Sequence, residues 1–198
     1  MSWIPALSLA VASYLVGGFS AGYWLVRWRT GIDVREQGSG ATGATNVGRI
    51  LGRAGFVLTL LLDASKAALV VLAARHFEQG ALVEHTCALA VLAGHVWPAQ
   101  LRFRGGKGVA PLLGAWLVLA PLALLPIAAF TVLAWLWTRR FVHAGLTGLC
   151  LLPTFAVVFG DGPVELVGAT LALVILVWAH RDVIGYASRA PAPRGDPR

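Results

Sequence analysis

Seven apolar runs separated by short polar segments dominate the chain. They cover approximately residues 3–26, 54–74, 85–101, 109–120, 122–137, 144–159 and 165–179. A helix needs about 20 residues to cross the hydrocarbon core of a bilayer, and most of these runs approach that length. The pattern predicts an all-α fold, a polytopic membrane helix bundle with about seven transmembrane helices. Only Ala120 and Pro121 separate the fourth and fifth runs. These two form either a tight hairpin or one broken helix, so five or six full crossings are the alternative.

The composition agrees with a membrane protein. Hydrophobic residues make up 58% of the chain and charged residues only 13%, against about 25% charged in soluble domains. The mean hydropathy is +0.74. The two cysteines, Cys87 and Cys150, lie inside apolar runs and are interpreted as small core residues. Neither a disulfide framework nor metal-ligand spacing is present, so we expect no metal site.

The placement of charge predicts an orientation. The net charge is +7. With the N-terminus outside and the C-terminus in the cytoplasm, nearly all of the 16 lysine and arginine residues fall on cytoplasmic segments, as the positive-inside rule requires. Arg75 lies outside and Lys66 lies within a run. No basic stretch interleaved with aromatic residues indicates nucleic-acid binding. Residues 1–189 therefore form the membrane domain, and the Pro-rich, charged residues 190–198 form a disordered cytoplasmic tail.

A glycine-rich segment between the first two runs is the strongest candidate for chemistry. Its glycines alternate with side-chain donors, in the set Gly38, Ser39, Gly40, Gly43, Thr45, Asn46 and Arg49. Glycine lets several backbone N–H groups converge on one anion. Glycines in membrane proteins also allow close helix packing, but here they lie in a predicted loop among donors. We therefore interpret the segment as an anion site.

Two further polar segments fall on the same side of the predicted membrane. The first contains Arg104, Gly105, Gly106, Lys107 and Gly108, and the second contains His180, Arg181 and Asp182. A lysine among glycines suits a phosphate, because it adds a point charge to exposed N–H groups. His95, shortly before the first segment, is either structural or catalytic. His180 either complements the dipole of the last helix or acts as a base or a contact for a substrate hydroxyl.

Asp63 and Lys66 lie inside the second run, three positions apart and therefore on one face of a helix. Charges within a membrane are costly and are usually paired. They form either an ion pair that holds the bundle or a direct contact with substrate.

Several well-known catalytic patterns are missing from the sequence. No histidine is followed by aspartate in the His-x4-Asp spacing of soluble and peripheral glycerolipid acyltransferases. Neither a Gly-x-Ser-x-Gly elbow nor a Walker loop is present.

The ordered motifs resemble those of the PlsY family, the bacterial membrane-integral acyl-phosphate:glycerol-3-phosphate acyltransferases. The resemblance extends from about Ser13 to Arg181. Its elements are Gly38-Ser39-Gly40, Gly43-Ala44-Thr45-Asn46, Arg49, Asp63 with Lys66, Gly94-His95, Phe103-Arg104-Gly105-Gly106-Lys107-Gly108-Val109-Ala110 and His180-Arg181.

The resemblance implies a seven-helix bundle in the bacterial inner membrane with its site facing the cytoplasm. It implies transfer of a fatty acyl group from acyl phosphate to glycerol 3-phosphate, which gives lysophosphatidic acid for phospholipid synthesis. The partners are then these two substrates and membrane lipid, and no cofactor is expected. The oligomeric state and the acyl-chain preference are not predicted.

The resemblance also implies roles for individual residues. The catalytic set is Ser39, Arg49, Lys107 and His180. The set that binds substrate or phosphate is Gly38, Gly40, Gly43, Thr45, Asn46, Arg104, Gly105, Gly106, Gly108, Arg140 and His143. The supporting set is Asp63, Lys66 and His95.

The chain departs from the family pattern at three positions that bear on the acceptor. Ala41 replaces the usual asparagine, His143 the usual serine and Val183 the usual asparagine. Several of the lost groups are donors that should hold glycerol 3-phosphate. The alternatives are therefore a divergent member that acylates another acceptor, or a membrane transporter of an organic phosphate.

Overall fold

A computed structural model describes residues 3–77, 80–160 and 162–182. For Trp3 it describes the backbone alone. Within those ranges the chain is helical and has no strand. The α-helices are α1 Trp3–Gly18, α2 Ala21–Thr30, α3 Ala44–His76, α4 Ala81–Val96, α5 Val109–Leu119, α6 Pro121–Thr138, α7 Phe141–Leu149, α8 Leu152–Phe159 and α9 Pro163–Ala179. Short 3-10 turns cover Val34–Glu36 and Ala99–Leu101. Val183 and the predicted tail 190–198 lie outside the described residues.

The helices confirm an all-α membrane protein. Three segments are long and apolar enough to cross a bilayer, namely Ile4–Thr30, α3 and α6. The pair α7 and α8, bent by 43°, is either a fourth, broken span or a re-entrant loop. Helices α5 and α9 are apolar but shorter. At 1.5 Å per residue, the 11 residues of α5 extend only about 16 Å. The number of seven crossings and the orientation of the termini stay predictions.

Two of the apolar runs are not single helices. The first run breaks at Phe19 and Ser20, between α1 and α2. A side chain at Gly17 would collide with the carbonyl oxygen of Val91 on α4, so the backbone there lies directly against its neighbour. The sixth run divides into α7 and α8 in the same way, at residues 150–151.

Helix α3 begins earlier than its apolar run. It starts at Ala44, so Thr45, Asn46 and Arg49 lie in its first turns and not in the loop that the sequence predicts. Gly52, with φ 70° and ψ −164°, interrupts the helical geometry and kinks α3. Only glycine adopts that conformation at little cost.

Glycines allow the closest helix contacts. Added side chains at Gly94 and Gly114 would collide with the carbonyl oxygens of Tyr14 and Ala64, which brings α4 against α1 and α5 against α3. The buried core lies between α4, α5, α8 and α9 and includes Leu92, Leu112, Trp116, Leu152 and Leu176.

The outer surface of the bundle is apolar. Leu7, Leu69, Leu133 and Val174 are 67%, 64%, 66% and 59% exposed. Exposed aliphatic side chains on so many helices are expected of a surface whose solvent is lipid. The polar side chains are concentrated instead in the segments before α3, before α5 and after α9, which form the candidate site.

Candidate functional site

Asn46 organises the first glycine-rich segment. Its side-chain nitrogen donates to the carbonyl oxygens of Val34, Gln37 and Ala41 at 3.1, 2.9 and 3.0 Å. Its side-chain oxygen accepts from the backbone N–H of Ser39 at 3.1 Å. Asn46 is only 2% exposed, so its amide is committed to the shape of the loop.

The glycines of this segment fit that shape. A side chain at Gly38 would collide with the Asn46 oxygen, and Gly38 and Gly40 have φ values of 55° and 70°. Gly43 is the N-cap of α3, with no neighbouring atom where a side chain would begin. The segment is therefore a backbone turn that glycine permits and Asn46 ties together.

Arg35 and Thr42 join the first glycine segment to the second. The backbone N–H of Thr42 donates to the carbonyl oxygen of Gly105 at 3.2 Å. The guanidinium of Arg35 donates to the carbonyl oxygen of Leu101 at 2.7 Å and pairs with Asp33 at 2.6 Å. The hydrogen bonds from Arg35 hold the pKa of the Asp33 carboxyl below its usual range. Asp33 and Arg35 thus lock the two segments together.

The three polar segments enclose one cleft of about 400 Å³, which we call the loop cleft. It is lined by Ser39, Gly40, Ala41, Val96, Trp97, Phe103, Arg104, Gly105, Gly106, Lys107, Trp178, Ala179, Arg181 and Asp182. Three of these side chains are basic, and Trp97, Phe103 and Trp178 provide an aromatic wall. Such a cleft suits an anion that carries an apolar group.

Two helix N-termini add to the positive potential around the loop cleft. Helix α3 begins after Gly43 and α5 begins after Gly108. The first N–H groups of a helix have no acceptor within the helix, and the helix dipole favours an anion there. Each of these helices follows directly on a glycine segment of the cleft.

Lys107 and Arg181 already have partners in the structure. The Lys107 ammonium lies 2.5 Å from a carboxylate oxygen of Asp182. The Arg181 guanidinium lies 3.8 Å from the centre of the Trp178 ring and donates to the Trp178 carbonyl oxygen at 3.0 Å. The rings of Trp97 and Trp178 are 4.9 Å apart. A phosphate bound at Lys107 would have Asp182 as its competitor.

His180 is buried beside this wall. Its Nδ1 lies 2.9 Å from the carbonyl oxygen of Leu176. Since a carbonyl oxygen can only accept, Nδ1 carries the proton and Nε2 is the acceptor of the neutral ring. Burial chiefly, and the positive charge of Lys107 as well, lower the pKa of His180. At neutral pH the ring is therefore a neutral hydrogen-bond acceptor.

Arg49 and Thr45 line a separate, adjacent depression on the α3 surface. This α3 groove has a volume of about 370 Å³ and is lined by Thr45, Gly48, Arg49, Gly52, Arg53, Phe56 and Val57. Arg49 is exposed and donates to the side-chain oxygen of Asn46 at 3.4 Å. Asn46 thus connects the α3 groove to Ser39 at the edge of the loop cleft.

The supporting residues lie beneath the second glycine segment. Lys66 donates to Asp63 at 2.8 Å, and its Nζ lies 3.1 Å from Nδ1 of His95. All three are buried. A side chain at Gly106 would collide with Nε2 of His95, and one at Gly105 with the carbonyl oxygen of His95. Gly108, with φ 86°, packs on Leu92.

Arg140 and His143 are not among the residues that line the loop cleft. Arg140 is exposed just before α7, and His143 lies in its first turn with a buried, unpartnered Nε2. Helix α7 packs mainly against α6. Their assignment to substrate binding stays a prediction.

Sequence patterns assigned no individual role to Arg35, Asp182, Trp97 or Trp178. All four lie within or next to the segments that it singled out. Tryptophans directly beside two separate polar segments were a usable indication of a shared aromatic wall.

Comparisons with known proteins identify the family of the chain. The family model described as glycerol-3-phosphate acyltransferase matches residues 7–189. Glycerol-3-phosphate acyltransferase 1 of Desulfitobacterium hafniense (strain Y51) is 42% identical over 179 residues, which cover 90% of this chain and 88% of that protein. The glycerol-3-phosphate acyltransferase of Anaeromyxobacter sp. (strain Fw109-5) is 42% identical over 197 residues, 96% of this chain and 97% of that protein.

Two crystal structures of PlsY, an integral membrane glycerol 3-phosphate acyltransferase, share the fold. The glycerol 3-phosphate form has a TM-score of 0.86 and 31% identity, and it covers 93% of this chain and 92% of its own. The lysophosphatidic acid form has a TM-score of 0.83 and 29% identity, with the same coverage. The helices, the polar segments and these matches together show that this chain belongs to the glycerol-3-phosphate acyltransferase family of integral membrane proteins.

Proposed function

We propose that this protein transfers a fatty acyl group from acyl phosphate to glycerol 3-phosphate and so makes lysophosphatidic acid for phospholipid synthesis. The observation that carries the proposal is the loop cleft, where three basic side chains face an aromatic wall. Membership in the acyltransferase family and the glycerol 3-phosphate form of the related PlsY structure support the choice of acceptor.

The proposed reaction needs no covalent enzyme intermediate, because acyl phosphate is already an activated mixed anhydride. A hydroxyl oxygen of glycerol 3-phosphate attacks the acyl carbon and forms the new ester bond. The bond between the acyl carbon and the phosphate oxygen breaks, and inorganic phosphate leaves. The hydroxyl proton ends on that phosphate, so atoms and charge balance. Holding both substrates in position supplies a large part of the rate, on the order of 7 kcal/mol or more.

The residues of the loop cleft divide this work. Lys107 and Arg104 hold phosphate oxygens by charge, and Lys107 exchanges Asp182 for the substrate. Ser39 at the edge of the cleft and the N–H groups of the glycine segments stabilise the charge that develops on the acyl oxygen. His180 is buried and is not among the residues that line the cleft, so it must become accessible before its neutral Nε2 accepts a hydrogen bond from the glycerol hydroxyl.

Arg49 has a second phosphate role in the proposal. It lies in the α3 groove and bonds to Asn46, which also bonds to Ser39. Only the Asn46 side chain would therefore separate a phosphate at Arg49 from Ser39 at the proposed acyl site. Phe56 and Val57, which line the same groove, provide an apolar path towards lipid for the acyl chain.

We further propose that the protein lies in the bacterial inner membrane with the loop cleft on the cytoplasmic side. The placement of the basic residues supports this orientation. Soluble glycerol 3-phosphate would then reach the cleft from the cytoplasm, while the acyl chain enters from the bilayer.

Acyl transfer with purified full-length protein in lipid nanodiscs tests the proposal. Palmitoyl phosphate, palmitoyl-CoA and palmitoyl-acyl carrier protein are compared as donors, with glycerol 3-phosphate and a panel of other hydroxyl and amine acceptors. We expect product only with palmitoyl phosphate and glycerol 3-phosphate. Lys107→Ala should abolish most activity, whereas Arg139→Ala, an exposed cation outside the loop cleft, should not.

The assay also decides between the alternatives. Efficient transfer from palmitoyl-CoA would refute the donor assignment. Preference for another acceptor would indicate the divergent enzyme that the changes at Ala41, His143 and Val183 suggest. No transfer from any donor, together with uptake of an organic phosphate into vesicles, would support a transporter.

A further inference from the structure

The Lys66 ammonium lies within hydrogen-bond distance of four polar atoms, one each on α1, α3 and α4 and one at Phe19, just after α1. Its ammonium donates to the carbonyl oxygens of Gly17 at 3.0 Å and Phe19 at 2.7 Å, where α1 ends. It also pairs with Asp63 at 2.8 Å and lies 3.1 Å from Nδ1 of His95. The last carbonyl oxygens of a helix have no partner within that helix. Lys66 satisfies the carbonyl oxygen of Gly17 and Gln100 donates to that of Gly18, which explains how the first membrane run can break there.

Two charged side chains lie against the Nδ1 edge of His95. The Lys66 ammonium is 3.1 Å from Nδ1. Asp63 lies 3.6 Å from Nδ1 and balances the charge of Lys66. The imidazole is thus held in one orientation from behind.

The Nε2 edge of the His95 imidazole packs against the second glycine segment. A side chain at Gly106 would coincide with Nε2 of His95. The backbone N–H groups of Gly106 and Gly105 donate to the carbonyl oxygens of His95 and Val96 at 3.0 and 3.2 Å. Gly105 in turn accepts from Thr42 of the first segment. The ring of His95 therefore sets how deeply this peptide can lie.

We propose that Lys66 and His95 are positioning residues that hold the Gly105–Gly106 peptide at the depth at which Arg104 and Lys107 meet a phosphate. Neither residue touches substrate in this proposal. It rests on the proposed function only for the identity of that phosphate. It also attributes the need for glycine at residue 106 to contact with the buried His95 ring and not to contact with the ligand.

A double-mutant cycle tests the contact between His95 and Gly106. Gly106→Ala should raise KM for glycerol 3-phosphate about tenfold or more with a smaller change in kcat, because the new methyl group overpacks the ring. His95→Asn keeps an acceptor near the position of Nδ1 and removes the atoms that face Gly106. The double variant Gly106→Ala with His95→Asn should therefore recover most of the lost affinity.

Gly105→Ala is the matched control. Its methyl group would meet the backbone oxygen of His95 and the Pro98 ring, which no change of the His95 side chain relieves. We expect no recovery when it is combined with His95→Asn. If His95→Asn fails to recover Gly106→Ala, or recovers both alanine variants equally, the positioning role is wrong.

Hydrogen–deuterium exchange tests the same proposal without any acyl transfer. Lys66→Met should speed exchange of the Gly105 and Gly106 amides in the full-length protein more than it speeds exchange of the amides of α6. Equal acceleration in both regions would show a general loss of stability and overturn the proposal. If the wild-type protein transfers no acyl group, the proposed function fails, but this measurement still decides whether Lys66 and His95 position the loop.

Discussion

At the scale of single residues, burial separates the side chains that hold the site together from those that are already open to a ligand. Asn46 and His95 are 2% and 3% exposed and bond to the protein. Ser39 and Arg104 are exposed at the loop cleft, and Lys107 is half-buried there. A chemical type suited to phosphate is therefore not enough to assign a binding role. Asn46 is a good hydrogen-bond donor, but its side chain already donates to backbone carbonyl oxygens of the protein.

The first prediction at this scale concerns Lys107 and Arg49. Replacing either by alanine removes a charge-assisted contact of about 1.5–3 kcal/mol. This corresponds to roughly a tenfold to hundredfold fall in kcat/KM. Steady-state kinetics with palmitoyl phosphate and glycerol 3-phosphate measure it, with Arg139→Ala as the control. Full activity of both alanine variants would show that the phosphate assignment is wrong.

A second prediction concerns pH and His180. Burial lowers the pKa of this ring below its ordinary value, which is about 6.5. The pH must therefore fall below that value before Nε2 takes up a proton and can no longer accept a hydrogen bond. As His180 is protonated, kcat/KM should fall, and this fall should lie below pH ~6.5. It should disappear in His180→Gln.

The stability of the protein gives an independent check on His180. The unfolded chain binds the proton at a higher pH than the folded chain, so His180 reduces stability as pH falls through the interval between the two pKa values. The melting temperature of His180→Gln should fall less on acidification than that of the wild type. The phosphate of the substrate titrates in the same way whichever protein is assayed. Identical profiles of kcat/KM against pH for the wild type and His180→Gln would therefore contradict the assignment of the acid loss to His180.

At the scale of elements, short helices and glycine contacts bring polar loops close together. Helices α3 and α5 both begin at a glycine segment, and α5 lies directly against α3 where Gly114 meets the Ala64 carbonyl oxygen. The segments that precede the two helices are joined by the hydrogen bond from the Thr42 N–H to the Gly105 carbonyl oxygen. This bond brings both glycine segments to one cleft, as a shared anion site requires.

The prediction for the elements is that bulk at Gly114 separates α5 from α3. Gly114→Val should destabilise the protein by at least about 1–3 kcal/mol, the usual cost of overpacking. Thermal unfolding in detergent measures the change. Gly145→Ala on α7 is the control, because no neighbouring atom lies where its side chain would begin. Equal melting temperatures for the two variants would contradict the packing argument.

At the scale of the whole molecule, the described residues form a helix bundle with an apolar exterior and a polar cleft. Lipid-facing leucines cover the helices, while the basic side chains of the loop cleft lie where three inter-helix segments meet. This arrangement is suited to the proposed binding of a water-soluble anion beside lipid.

The corresponding prediction concerns topology. In a Cys150→Ala background, with Cys87 buried, an impermeant maleimide applied to intact cells should label His76→Cys and not Arg104→Cys. Both positions are exposed in the structure. Disruption of the membrane should make Arg104→Cys reactive. Labelling of Arg104→Cys in intact cells would refute a cytoplasmic loop cleft.

Several features of the protein follow from its sequence alone. Apolar runs near membrane length predict helices, because lipid forces the backbone to satisfy its own hydrogen bonds within each segment. The glycine segments also stand out by composition, and six residues predicted to act on substrate do line one cleft: Ser39, Gly40, Arg104, Gly105, Gly106 and Lys107. The motif order is specific enough to indicate the family that the comparisons show.

Tertiary structure decided what depends on contacts between distant parts of the chain. The break after α1 is stabilised by Lys66, nearly fifty positions away, so no local pattern reveals it. Asn46 has the sequence character of a ligand contact, yet its partners are the backbone of its own loop. The neighbour that Gly106 must accommodate is His95, on another element. Local hydrophobicity determines where helices form, but only packing determines which polar groups retain a free donor for a ligand.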